Sequence, residues 1–216
     1  MAFALLAFDG TDAGAPARRA AARDAHVAFI TAEAAAGRLR LSLPLRDEAG
    51  RTLGSLTLLD VPDRAGVAAY LAAEPLAAGR VWRRVQVRDF RIAPLPYRPW
   101  PEPTGQAPPG RTHTVVVAFD GTDPGAEARR GAARPRHMDR IRPFARDGTL
   151  LVGGALLDAP GGRMIGSIAV TRHATDAEAA AWWAEDPYMA EGVWRDVARW
   201  GTALRPLPYP PLPGEA

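Results

Sequence analysis

AFDGTD stands at Ala7–Asp12 and again, letter for letter, at Ala118–Asp123. A hexamer holding Phe, Gly and a pair of Asp does not recur by chance in a chain of 216 residues, so the fold turns on how far the echo runs. At the same spacing of 111, Arg18-Arg19 falls on Arg129-Arg130, Arg23 on Arg134, His26 on His137 and Gly37 on Gly148. Past Asp47 and Asp158 the spacing becomes 112, setting Gly54-Ser55 on Gly166-Ser167, Glu74-Pro75 on Asp186-Pro187, Trp82 on Trp194 and Pro94–Tyr97 on Pro206–Tyr209. The extra residue lies in DEAGR against DAPGGR, which reads as a hairpin turn, where an insertion leaves the strand faces unchanged. The chain is therefore a tandem duplication of one domain. Its expected parts are a first repeat over 1–97, a Pro-rich linker over 98–111, a second repeat over 112–209 and a tail over 210–216.

Within one unit, Phe3–Phe8 and Thr114–Phe119 are apolar runs of strand length, each stopped by Asp-Gly. An Arg-rich segment follows, then a helix that Pro135 can open at its first position, where a missing N–H costs nothing. Ile141 and Phe144 share the sheet-facing side of that helix with His137, and Gly148 ends it. Thr149–Leu157 and Met164–Thr171 read as a hairpin. A second helix runs from about Thr175 to Glu185, with Glu178 as capping-box partner of Thr175, and Arg195–Leu204 is the last strand. The order βαββαβ is the ferredoxin-like α+β arrangement. ALLAF and VVVAF do not alternate apolar with polar, so both faces of their sheet must be covered. Helices cover one face, and the sheet of the tandem copy covers the other, giving an intramolecular pseudo-dimer. Association with a second chain stays open.

Composition excludes several function classes. Hydrophobic residues at 47% and charged residues at 24% are ordinary globular values. All 27 basic residues are Arg; Lys and Asn are both absent, as a GC-rich coding sequence explains. The net charge is only +3 and Arg is interleaved with Asp and Glu, which argues against nucleic acid. The strands LGSLTLL and IGSIAVT carry no aromatic platform for RNA. There is no Cys, hence no disulfide and no thiolate chemistry. Ala2–Phe8 is too short to span a membrane and lacks the flanks of a signal peptide, so a cytoplasmic location is expected. No spacing of His and acidic residues suggests a metal site, and no phosphate loop or serine elbow occurs, so no cofactor is expected.

The chemistry concentrates elsewhere. Antiparallel helices on one sheet face bring His137 near Asp186, where a carboxylate on one ring nitrogen would fix the tautomer and leave the other nitrogen as a general base. Two plainer readings stand beside this. His137 can be a hydrogen-bonded core residue, and Asp186 before Pro187 can be an N-cap. Arg134 can hold an anion or simply face solvent; Asp9 and Asp120 read best as turn residues. His113 lies at the linker exit and His173 in a loop.

The pattern of strand, Asp-Gly, Arg-rich segment, Arg-Pro-x-His, helix, hairpin with Gly-Ser, helix, Asp-Pro-Tyr and Gly-Val-Trp resembles the YciI-like (YCII-related) domain over essentially all of each repeat. The resemblance implies a pseudo-dimeric α+β barrel, with a His–Asp pair as active site. Similar domains are associated with elimination or dehalogenation of hydroxylated aromatic rings and with lactone isomerisation. The match is fuller in the second repeat, which has Arg134-Pro135-Arg136-His137, Gly153-Gly154 and Asp186-Pro187-Tyr188. There, catalysis is expected from His137 and Asp186, with substrate held by Arg134, Gly153, Gly154 and Tyr188. In the first repeat Arg23, His26 and Glu74 form a degenerate counterpart, with Ser42-Leu43-Pro44 in place of the glycines and Leu76 in place of the tyrosine. Pro44 is expected to block it. The expected partner is a small-molecule substrate for a lyase- or isomerase-type enzyme; the competing function is a non-catalytic binding module.

Overall fold

The protein is described from a computed structural model covering residues 2–214. Met1 and the last two residues of the expected 210–216 tail lie outside the described residues. The first repeat runs β1 (Ala2–Asp9), α1 (Ala15–Ala35), β2 (Leu39–Arg46), β3 (Thr52–Leu59), α2 (Arg64–Ala73), α3 (Pro75–Ala78) and β4 (Trp82–Ile92). The second repeats the order as β5 (His113–Asp120), α4 (Ala126–Asp147), β6 (Leu150–Leu157), β7 (Met164–Thr171), α5 (Asp176–Ala184), α6 (Pro187–Ala190) and β8 (Trp194–Thr202).

The strands close into a barrel, β1-β3-β2-β8-β5-β7-β6-β4, every neighbour antiparallel. This is the α+β barrel that the family resemblance implied, and it gives the unbroken apolar strands the cover on both faces that their pattern required. Val115 and Val117 join a core shared by both repeats, with Leu56, Leu58 and Leu156. Val116 and Ala118 turn the other way and pack with Ala133 and Ile141 of α4. Both faces of β5 are thus covered, at roughly 1.5–3 kcal/mol for each fully buried aliphatic side chain.

The helices depart from expectation at one point. Pro135 does not open a helix; it lies inside α4, as does Pro143. The Arg-rich segment before it is rich in Ala and Arg, strong helix formers that carry the helix back to Ala126. A proline frees the carbonyl four residues earlier. Here those are Gly131 and Asp139, both at exposed positions where water can serve them. Gly148 ends α4 at φ 81°, and the Thr175–Glu178 capping box opens α5, both as the sequence predicts.

The two seams between repeats differ. β4 pairs with β6 from Asp89↔Leu157 to Ile92↔Gly154, whereas β2 meets β8 only at Arg46↔Gly201. At Gly154 a Cβ would lie 2.4 Å from the Arg91 carbonyl oxygen, so the tight seam requires that glycine. Leu43 holds the equivalent place in β2. Pro44 follows it and has no N–H to give a neighbouring strand. The looser seam follows from these two residues. Past each seam the PLPY segment crosses to the other repeat. Tyr97 Oη accepts from the Gly153 amide at 3.1 Å and donates to its carbonyl at 3.0 Å. Tyr209 makes the same pair of bonds to Ser42.

Candidate functional site

Each repeat holds a histidine on its long helix against a carboxylate that opens the last short helix. In the second repeat His137 Nδ1 lies 2.8 and 3.0 Å from the two Asp186 oxygens. Asp186 Oδ1 also accepts from the Tyr188 amide at 2.9 Å, capping α6. The cap and the histidine partner are the same side chain, so the N-cap role of Asp186 does not exclude its pairing with His137. In the first repeat His26 Nδ1 lies 2.5 Å from Glu74 Oε1, while Glu74 Oε2 accepts from the Ala77 amide at 2.9 Å. Both carboxylates are fully buried. Among the described residues, neither histidine makes a protein hydrogen bond through Nε2.

What surrounds the rings differs. Tyr188 stacks on His137 with centroids 3.8 Å apart and planes 12° from parallel, and Arg130 lies over the tyrosine ring. Burial pushes the Tyr188 hydroxyl above its ordinary value. The cavity beside His137, lined also by Arg134, Gly153, Gly154 and Tyr188, is about 60 Å³. Beside His26, where Leu76 replaces the tyrosine, the cavity is about 1160 Å³, and Arg23, Ser42, Pro44 and Leu76 line it. Small-molecule pockets run to roughly 300–1000 Å³. The ring-sized space therefore belongs to the repeat with the poorer motif. Pro44 borders that space instead of blocking it, because the seam it loosens opens there.

The glycines also act differently from expectation. Gly154 makes room for Phe90 and Arg91 of the other repeat, whereas a Cβ on Gly153 would meet only ordinary contacts, at 3.6 Å from Leu150. Each cavity is composite, with Arg91–Pro94 of the first repeat walling the second site and Ala203 and Arg205 walling the first.

Asp9 and Asp120, read as turn residues, ion-pair with Arg19 and Arg130 at 2.7 and 2.6 Å. Burial raises both carboxyls against the pull of those guanidiniums. The arginines also reach Ser55 and Ser167 on the neighbouring strands, fixing α1 and α4 to the sheet. The signal was present in the repeated Arg-Arg and Gly-Ser pairs. His113 and His173 lie apart from both sites, bonded to Thr112 and Thr171 respectively. Among the described residues no group of His, Asp and Glu is placed to hold a metal, and no helix is long and apolar enough to cross a membrane.

Comparison with known proteins fits this architecture. A mutant chlorite dismutase from Candidatus Nitrospira defluvii is 11% identical, with 95% of this chain and 91% of that chain covered at a TM-score of 0.57. The chlorite dismutase of the same source in complex with imidazole is 13% identical over 95% and 91%, with a TM-score of 0.55. These likenesses show a shared dimeric α+β barrel fold and nothing finer. The 5-chloro-2-hydroxyhydroquinone dehydrochlorinase from Burkholderia phenoliruptrix AC1100, in complex with 2,5-dihydroxybenzoquinone, is 16% identical. It covers 43% of this chain and 96% of that one at a TM-score of 0.38. No protein of curated function matches the sequence. The YCII-related domain matches residues 1–91 and again residues 114–200, so the chain belongs to the YCII-related domain family in two tandem copies.

Proposed function

We propose that the protein is a cofactor-free enzyme of the lyase or isomerase type that moves a proton on a small hydroxylated aromatic or lactone substrate. A histidine serves as base and a buried carboxylate orients it. The observation that carries this reading is the His26–Glu74 pair on the wall of a cavity of about 1160 Å³. Glu74, accepting from Nδ1–H, sets the tautomer with the lone pair on Nε2. When Nε2 takes a proton from the substrate, the same carboxylate stabilises the imidazolium, and the proton returns to carbon or to a leaving group in the next step. Arg23 in the same cavity would balance negative charge developing on a substrate oxygen.

A second reading assigns the chemistry to His137 and Asp186, with Arg134, Gly153, Gly154 and Tyr188 as the substrate's neighbours. Its support is the hydrogen-bond geometry, in which both carboxylate oxygens reach Nδ1. It requires the substrate to displace the Tyr188 ring. The test is a panel of hydroxylated aromatics and lactones incubated with the protein in D₂O and followed by ¹H NMR. Enzyme-dependent loss of a C–H signal is expected, with a rate lowered roughly 10²–10⁴-fold by Glu74→Gln, the range of general acid–base catalysis. A panel that exchanges no faster than buffer would leave a ligand-sequestering module as the function.

A further inference from the structure

The open cleft of the first repeat carries more unpaired positive charge than its counterpart. Arg23, Arg46, Arg84 and Arg205 all line it. Among the described residues none of the four has an ion-pair partner. Arg84 lies over the Phe8 ring at 4.4 Å, and Arg205 donates to the Gly105 carbonyl. The cleft's acidic residues are already engaged, Asp9 by Arg19 and Asp12 by Arg18. At the equivalent positions of the second repeat stand Arg134, Leu157, Asp196 and Ala93, while Arg91 lines the second cavity where the first has Ala203; among the described residues four guanidiniums without an ion pair thus line the first cavity and two, Arg91 and Arg134, the second. The first cavity of the duplicated pair therefore holds the larger set of unpaired cations. Arg23 and Arg205 approach it from opposite repeats. Burial and, after it, the charge of Arg23 lower the Arg205 guanidinium from its ordinary value, as expected of two cations facing one space with no anion between them. Apolar surface from Phe8, Ile30, Leu43, Pro44 and Leu76 completes the lining.

We propose that this cleft binds a carboxylate carried on an apolar ring, the anionic group lying between Arg23 and Arg205 and the ring against Leu43, Pro44 and Leu76. The assignment rests on the reading that the cleft beside His26 takes a small molecule, and it adds the ligand's charge and shape. Guanidinium forks match carboxylates in two hydrogen bonds. With Arg23 in one repeat and Arg205 in the other, the site is complete only when the two repeats are paired.

The test is isothermal titration of the full-length protein with 2-naphthoate and with neutral 2-naphthamide. Naphthoate is expected to bind more tightly than naphthamide. Arg23→Gln and Arg205→Gln are each expected to weaken naphthoate roughly ten- to a hundredfold, as for loss of a hydrogen bond to a charged group, while leaving naphthamide within twofold. Arg88→Gln, an exposed arginine outside the cleft, controls for net charge and should change neither ligand. Ala20→Phe, on an exposed position of α1 that lines the cleft, should weaken both. Naphthoate binding that ignores Arg23 and Arg205 but yields to Ala20→Phe would overturn the anion assignment and leave the cleft as a small-molecule site. Binding untouched by Ala20→Phe, or absent at millimolar ligand, would overturn the site itself. The proton-exchange panel judges catalysis independently of either result.

Discussion

Replacing Asp186 separates two jobs that one side chain does. Its Oδ1 caps α6 through the Tyr188 amide at 2.9 Å, and both oxygens face His137 Nδ1 at 2.8 and 3.0 Å. Asp186→Ser keeps a capping oxygen but is too short to reach the imidazole. It loses a hydrogen bond to a charged group with both ends buried, at a cost of roughly 1–3 kcal/mol. Asp186→Ala loses the cap as well, about 1 kcal/mol more. In a chain of this length each kcal/mol shifts Tm by about 2–4 °C. The serine variant should therefore melt roughly 2–12 °C below the parent, and the alanine variant a few degrees lower again. Urea unfolding followed by circular dichroism, run as a double-mutant cycle of Asp186→Ser with His137→Ala, isolates the pair. A coupling of roughly 1–3 kcal/mol is expected. A coupling below about 0.5 kcal/mol, the scatter for independent sites, would refute the pair as an energetic unit.

Gly154→Ala should destabilise the protein severely, because its Cβ would meet the Arg91 carbonyl at 2.4 Å, whereas Gly153→Ala should be nearly neutral; thermal melts of the two variants check the contrast. Tyr97→Phe leaves the Gly153 amide without its partner, while the Gly153 carbonyl keeps the Ala93 amide, and Tyr209→Phe takes the hydroxyl from the Ser42 amide and carbonyl, so each should cost about 1–3 kcal/mol by urea unfolding. His113 gives the acid limb of stability a defined window. Burial first, then the charges of Arg172 and His173, push it down to about 4 in the folded protein. The unfolded chain takes the proton first, near pH 6.5, so the stability held by keeping His113 neutral is full above that value and is lost as pH falls toward 4. His113→Gln should flatten that part of the curve of urea midpoint against pH, and an unchanged slope would rule this account out.

Much of the architecture was legible because duplication doubles every signal. The repeat spacing located the hairpin insertion, and the unbroken runs ALLAF and VVVAF required a cover for both sheet faces, which the closed barrel supplies. The partnership of His137 with Asp186 followed from helix order alone. Less was legible where a residue acts through its neighbours in space. Pro135 looked like a helix start because a sequence does not reveal that the carbonyl it frees is at a solvated position. Pro44 looked like an obstruction because its effect is on pairing across the seam between repeats. The relative size of the two cavities depends on Tyr188 stacking over one histidine and on Leu43 holding one seam apart, and neither distance is written in local pattern.

The central claim is that a histidine–carboxylate pair moves a proton in the repeat that has room for a ring. The most direct measurement is the D₂O exchange rate of the best substrate in the panel, compared for the parent, His26→Ala and His137→Ala at equal folded fraction. The account predicts that His26→Ala abolishes enzyme-dependent exchange while His137→Ala keeps most of it. Loss confined to His137→Ala, or exchange untouched by either substitution, would contradict it.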